Sequence, residues 1–134
     1  MDEREAWEYL RKYYDEPEAL ASFELLAKYE PGAVVNYIGM RSSLFQEPPE
    51  GALPVRYKEL VLIGMECIAR KVNPPPIFHA RKAIAAGASV QEIAEVVSLS
   101  LMIGGMLTYQ EAGKFVLAEA ERAFEELARE GNPE

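Results

Sequence analysis

The stretch "HARKAIAAGASVQEIAEVVSLSLMIGG", residues 79–105, predicts two helices joined by a tight turn. Gly87 has the position of a left-handed residue that ends the first helix. Ser89 followed by Glu92 predicts a capping box at the start of the second helix, which then runs from 90 to about 103. Gly104-Gly105 marks a break, or a close approach of two backbones. This part of the chain therefore favours helices packed on helices.

The same helical spacing extends outward in both directions. Apolar residues recur three and four positions apart, and no Val/Ile/Thr-rich alternating segment is present. We expect an all-α fold of about seven helices, with Asp15 capping the second and Pro17 in its first turn. The predicted ranges are 2–14, from the Asp15 cap to 29, 33–44, from 54 to Asn73, from Pro74–Pro76 to 87, 90–103 and 107–129.

Glycine and proline breakers divide the chain into two parts. The segment "QEPPEGALP", residues 46–54, contains four such residues and cannot continue a helix. We interpret residues 1–134 as a single domain, with an N-terminal helical arm at 1–45 and a C-terminal unit at 54–130. A chain of 134 residues is long enough to bury a core without disulfides.

Charge and cysteine content exclude several classes of partner. The formal net charge is −8, which disfavours nucleic acid and an anionic membrane surface as partners. Cys67 is the only cysteine, so no intrachain disulfide can form, and a cytoplasmic location is expected.

The first residues lack the order of a signal peptide. The longest uncharged run, Val96–Gln110, is too short and polar to span a bilayer.

Residues 56–124 resemble the carboxymuconolactone decarboxylase family, which includes the AhpD-like alkylhydroperoxidases. The matching features are "KELVL" at a helix start, a histidine opening the next helix, and "A-x-x-A-G-A-S-x-x-E-I-x-E". A run ending in Gly-Gly and a last amphipathic helix follow. The resemblance covers about 70 of the 134 residues. It implies an AhpD-like helical fold whose core helices pack between subunits, and so a homo-oligomer (a dimer, trimer or hexamer).

The resemblance also shows where this chain departs from the peroxidase branch. In AhpD-like members the histidine closes a Cys-x-x-Cys-x-x-x-His motif. Anchored on His79, the two cysteine positions are Val72 and Pro75, so both thiols are absent. A two-cysteine cycle needs an attacking and a resolving thiol. We therefore predict no such cycle, and we interpret the three prolines before His79 as a rigid helix start.

His79 is the first candidate catalytic residue. Its place in the first turn of a helix disfavours the imidazolium, and a neutral imidazole can act as a general base. The alternative is a histidine that only bonds a neighbouring group. Glu59, in "KELVL", matches the glutamate that the family pairs with this histidine. Glu66 lies two turns further on the same face and is the rival partner.

Cys67, next to Glu66, is the last candidate catalytic residue, although a lone cysteine on an apolar face is more often part of a core. Arg56, Arg70 and Tyr109 are candidate substrate-binding residues, and Arg81 is a further cation for an anionic ligand. No phosphate loop, dinucleotide fingerprint or Ser-His-Asp arrangement is visible. A single histidine and a single cysteine argue against zinc, so no cofactor or metal is expected.

Three functions remain open from the sequence. The first is a decarboxylase-like enzyme (a lyase) that performs acid/base chemistry on a small carboxylate or lactone. The second is a non-catalytic helical oligomer that binds a small ligand or a partner. The third is a peroxidase that uses Cys67 alone and an outside thiol to resolve its sulfenic acid.

Overall fold

The computed structural model describes residues 1–69 and 77–131. Within these residues the secondary structure is entirely helical, as the sequence predicts. The helices are α1 (Glu3–Tyr13), α2 (Pro17–Tyr29), α3 (Pro31–Leu44), α4 (Val55–Ile68), α5 (Phe78–Ala85), α6 (Val90–Gly104), the single turn α7 (Met106–Thr108) and α8 (Lys114–Glu130), with a π-helical turn at Tyr109–Gly113.

The last three elements are continuous. Thr108, Tyr109, Gly113 and Lys114 all have right-handed helical backbone angles, so α7, the π-turn and α8 form one rod with a widened turn near its start. Counted in this way, the described residues form seven helices. The rod begins one residue before the predicted start and ends one residue after the predicted end.

The chain divides into two compact units, 1–51 and 52–134. In the first unit, α1 and α2 each pack against α3. Its core contains Leu10 from α1, and Val34 and Ile38 from α3. The side chain of Asp2 accepts from the backbone N–H of Glu5, and the Glu5 carboxylate accepts from the N–H of Asp2, which completes a capping box at the start of α1.

The predicted starts of two helices in this unit are wrong. Glu16, not Asp15, is the cap residue of α2, because Pro17 is itself the first helical residue. Pro31 does not separate two helices as a spacer but begins α3, two residues earlier than predicted. For α2 the expected proline in the first turn is present and the cap is displaced by one residue, whereas for α3 a proline interpreted as the end of one helix begins the next, since it lacks the amide hydrogen that a first turn leaves unpaired.

In the second unit, α4 packs against α5 and α6, and α8 packs against the same two helices. A single hydrophobic core lies between them, with Ile63 and Cys67 from α4 and Ile84 from α5. Ile93 and Val97 from α6 belong to the same core. This packing holds the start of α5 against α4.

The turn between α5 and α6 confirms the prediction for residues 79–105. The N–H of Gly87 donates to the carbonyl of Ile84 and that of Ala88 to Ala83, with Gly87 at φ +100°. These two bonds form a Schellman motif. The capping box of Ser89 and Glu92 is also present, with both hydrogen bonds at 3.0 Å. Local residues alone therefore define how α6 leaves α5.

The predicted break at the glycine pair is confirmed. Gly105 has φ +83° and an extended ψ, which interrupts the helix between α6 and α7. Gly104 lies directly against the buried side chain of Thr108, where a β-carbon would not fit. The predicted fourth helix ends at Ile68 within the described residues. The predicted continuation to Asn73 and the start of the fifth helix within Pro74–Pro76 lie outside them.

The π-turn brings α6 close through Gly113. An added β-carbon there would lie 2.7 Å from Cγ1 of Val97 and 3.3 Å from Cδ2 of Tyr109. Val97 is buried and β-branched, so its side chain has little freedom to move aside. At Gly64 in α4, by contrast, the nearest atom, Cγ1 of Val96, would be at an ordinary 3.4 Å.

We therefore expect Gly113→Ala to lower the free energy of unfolding by about 1–3 kcal/mol through overpacking. Gly64→Ala is the matched control in the same unit and should be neutral or stabilising by up to ~1 kcal/mol, because alanine favours helix. Chemical denaturation of the two variants and the wild type measures both effects. Equal stability of the two variants would show that Gly113 is not a close-packing position.

Candidate functional site

His79 lies in the first turn of α5, one residue after its start at Phe78. Because α5 packs against α4, the imidazole faces the two glutamates of that helix. Its side chain is only 14% exposed. The sole histidine of the chain is thus held against a carboxylate-bearing helix.

Glu59 contacts one nitrogen of the imidazole. Its Oε2 lies 2.6 Å from Nδ1 of His79. The residue is 2% exposed and shares the inner face of α4 with Ile63 and Cys67. A carboxylate in such a position costs several kcal/mol of desolvation unless a charged or hydrogen-bonding partner compensates it. His79 is that partner.

Glu66 contacts the other nitrogen. Its Oε1 lies 3.3 Å from Nε2 of His79, and its side chain is 28% exposed. Glu59 and Glu66 are two turns apart on α4, and the imidazole bridges them. The sequence presents these glutamates as rivals, whereas the structure brings both to the same ring. The expectation that His79 lies within hydrogen-bond reach of a carboxylate is confirmed.

The two carboxylates determine the charge of the imidazole. Burial lowers the pKa of His79, but the hydrogen bonds and charges of Glu59 and Glu66 outweigh it and raise this pKa to about 9. The raised pKa is opposite in direction to the effect expected of a helix N-terminus, which favours a neutral ring. At neutral pH the ring is an imidazolium that donates from both nitrogens. This arrangement can supply a proton and can take it back.

Cys67 follows Glu66 in the chain but belongs to the core. It is fully buried, among Ile63, Ala80 and Ile84. Burial, and then the charge of Glu66, raise the pKa of the thiol to about 11. A reactive thiolate needs the opposite conditions, namely access and a lowered pKa. The described geometry of Cys67 therefore disfavours a nucleophile.

The candidate substrate-binding residues have other contacts. Nη2 of Arg56 lies 2.7 Å from the hydroxyl of Tyr57, and the guanidinium lies over that ring. Tyr109 packs against the hydrophobic core from the π-turn. Nη1 of Arg81 lies 3.8 Å from Oε1 of Glu119. Arg70 lies outside the described residues, as do Val72 and Pro75.

The pairing of α5 with α8 through Glu119 was not predicted. Glu119 is mostly buried and contacts both Arg81 on α5 and Arg122 on its own helix. Arg122 also bonds Glu126 at 2.6 Å. The spacing of these residues within α8 is readable from the sequence. The partner on α5 is not, because helical spacing does not tell which helices face each other.

Neither a metal-binding cluster nor a membrane-spanning helix is present among the described residues. Across 1–69 and 77–131 no group of three or more His, Cys, Asp or Glu side chains is placed to hold a metal ion. In the same residues, no helix combines the length and apolar character needed to cross a bilayer.

The sequence model of the carboxymuconolactone decarboxylase family matches residues 33–117. The chain belongs to this family. The family assignment suggested by residues 56–124 is thus confirmed, and the match also takes in α3 of the first unit. The comparison with curated proteins gives no match.

A solved structure supports the same assignment. A protein from Burkholderia xenovorans LB400, provisionally named a carboxymuconolactone decarboxylase, superimposes with a TM-score of 0.77 at 27% sequence identity. The superposition covers 93% of this chain and 98% of that protein. This carboxymuconolactone decarboxylase family member therefore shares the helical fold of that protein over nearly its whole length.

The paired imidazole makes folding stability depend on pH in a predictable direction. The pKa of His79 is raised from 6.5 to about 9, so the folded state keeps a proton that the unfolded state loses in between. The stabilisation is complete below pH 6.5 and is lost as pH rises through the folded pKa. It amounts to about 3 kcal/mol. We expect the free energy of unfolding to fall between pH 7 and 9.

Denaturant titrations at several pH values measure this slope. Glu59→Gln is the matched control, because the amide keeps the shape of the side chain and removes the charge that holds the proton. The slope between pH 7 and 9 should be shallower in that variant. A slope identical to that of the wild type would contradict a stabilising Glu59–His79 ion pair.

Proposed function

We propose that this protein is a decarboxylase-like enzyme in which His79 performs acid/base chemistry on a small lactone or carboxylate. The observation that supports the proposal is the imidazole bonded at Nδ1 by Glu59 and contacted at Nε2 by Glu66. Perturbed titratable groups of this kind cluster at active sites, although structural ion pairs also produce them. A cytoplasmic location, expected from the single cysteine, is part of the same proposal.

The proposed reaction breaks one bond of the substrate and transfers one proton from His79. For a lactone carboxylate, the bond between the ring carbon and the carboxylate carbon breaks, and carbon dioxide leaves without that electron pair. The pair moves into the lactone as an enolate. His79 then donates a proton to this enolate, and the N–H electron pair stays on the ring nitrogen. Glu59 orients the imidazole through Nδ1 and balances its positive charge.

The anionic end of such a substrate needs a cation. Arg56 and Arg70 are the proposed contacts, with Tyr109 as a further substrate-binding residue. Arg56 is half-exposed at the start of α4, one turn before Glu59, which supports its place in the proposal. Arg81 is the weaker candidate because Glu119 already lies beside its guanidinium.

The proposal includes no thiol chemistry. The sequence has a single cysteine, and the burial and raised pKa of Cys67 argue against a peroxidase that uses it alone. A two-cysteine cycle is excluded by composition within one chain. Proton transfer at His79 is the chemistry that the described residues support best.

The experiment is a lactone assay in deuterium oxide with carboxylated and plain five-membered lactones. We expect release of carbon dioxide from the former, or deuterium uptake next to the carbonyl of the latter. His79→Gln should lower the rate by about 10²–10⁴-fold, the usual contribution of a general acid or base. Cys67→Ala should keep the wild-type rate. Equal turnover by the wild type and His79→Gln would refute the proposed role.

The second proposal concerns assembly, and it holds for a catalytic and for a non-catalytic protein. Five apolar side chains near the ends of α6 and α7 are each between 54% and 73% exposed: Leu99, Met102, Ile103, Met106 and Leu107. On α4, Val61, Met65 and Ile68 are also about half exposed or more. Exposed apolar groups in this number mark contact surfaces. We propose that a second copy of this chain covers them.

Analytical ultracentrifugation tests the assembly. The wild type should sediment as a dimer, trimer or hexamer at micromolar concentration. Ile103→Glu should shift it to the 15.0 kDa monomer, because a carboxylate would be buried at the contact. Ser22→Glu adds the same charge at an exposed position of the first unit and should leave the assembly unchanged. A wild type that sediments as a monomer would overturn the proposal.

A further inference from the structure

The two contacts of His79 differ in burial and in length. On the Nδ1 side, the Glu59 side chain is 3% exposed and its oxygen is 2.6 Å away. On the Nε2 side, the Glu66 side chain is 28% exposed and its oxygen is 3.3 Å away. The Nδ1 side is therefore closed and tightly bonded. The Nε2 side carries the longer contact and the more exposed carboxylate.

This difference fixes which proton the ring can give away. The contact of Nδ1 with Glu59 is the shorter of the two and is made with the more buried carboxylate, so loss of this proton would remove a close donor from a charge in the interior. When the ring becomes neutral, the proton that leaves is therefore the one on Nε2. The neutral ring keeps Nδ1–H and presents a lone pair at Nε2. The proton-transferring atom of His79 is Nε2.

We propose that Glu66 is a positioning residue that keeps Nε2 of His79 protonated, so that the resting site donates a proton from this atom rather than accepting one. The proposal rests on the proposed acid/base function and deepens it by assigning the atom and the direction of the first transfer. Nε2–H breaks, the electron pair stays on nitrogen, and the proton joins the electron pair of the substrate enolate. Water then reprotonates Nε2 through the half-exposed Glu66.

Within residues 1–69 and 77–131, other charged side chains on α5 and α8 contact groups other than His79. On α8, which packs against α5, Glu119 contacts Arg81 and Arg122. On α5 itself, the Lys82 ammonium lies 5.2 Å from the centre of the Phe78 ring. The pKa of His79 is raised by the two α4 carboxylates against the effect of burial. Glu59 is fixed in the interior, so Glu66 is the partner of His79 that can be changed without altering the buried carboxylate.

The chain has one histidine, so its imidazole can be observed without ambiguity. We would label histidine with ¹⁵N and record the two ring nitrogens by NMR across pH 5 to 10 in the wild type, Glu66→Gln and Glu66→Asp. In the wild type both nitrogens should be protonated at pH 7.5. In Glu66→Gln the titration midpoint should fall by about 1 pH unit or more, since an opposite charge has been removed. Glu66→Asp should restore part of the shift.

In every one of these proteins the neutral ring should carry its proton on Nδ1. A Glu66→Gln midpoint equal to that of the wild type would overturn the proposal, and so would a neutral ring protonated on Nε2. A Glu66 whose charge does not act on the ring would leave the midpoint unchanged even where its substitution alters stability. The NMR experiment needs no substrate, so its failure is distinguishable from inactivity in the lactone assay, which would refute the proposed function alone.

Discussion

The buried carboxylate of Glu59 is the constraint on which the site depends. A charge that is 2% exposed cannot be left without a partner, since its desolvation would cost several kcal/mol. His79 supplies one such partner from the first turn of α5. This one pair therefore ties the start of α5 to α4. The packing of α5 and α8 around the shared core shields the Glu59–His79 pair from solvent, so the interaction between the two groups stays strong.

A structural and a functional role for His79 are compatible. The contact with Glu66 distinguishes the two roles, because a structural role does not require it. Compensating the charge of Glu59 requires only one ring nitrogen. A second carboxylate at Nε2 adds negative charge beside an already satisfied pair. The second carboxylate has a physical purpose where the ring has to be held in its doubly protonated form. The half-exposed Glu66 links the doubly protonated ring to the solvent.

Much of the fold could be predicted because short-range patterns determine it. The capping box of Ser89 and Glu92, the left-handed Gly87 and the break at Gly105 each depend on a few neighbouring residues. The start of α3 is predicted wrongly because a proline can mark either the end of one helix or the beginning of the next. The start of α2 differs by one residue, because the sequence does not tell whether Pro17 is the first or the second residue of the helix.

The candidate site could be predicted in part for a related reason. Helical spacing places Glu59 and Glu66 on one face of α4 but gives no depth, so it could not tell the buried carboxylate from the half-exposed one. It also treats them as alternatives, whereas an imidazole has two nitrogens on opposite sides of the ring. The contact of Arg81 with Glu119 joins α5 to α8 and depends on packing alone.

The carboxylate charges that favour proton transfer at His79 oppose thiol chemistry at Cys67, which directly follows Glu66 in the chain. Glu66 helps to keep a proton on the imidazole, and its charge also raises the pKa of Cys67 beyond the effect of burial. A thiolate at Cys67 would place a second negative charge beside Glu66, in a buried position among apolar side chains. The glutamates that hold a proton on His79 therefore support the proposed acid/base function and not a thiol-based one.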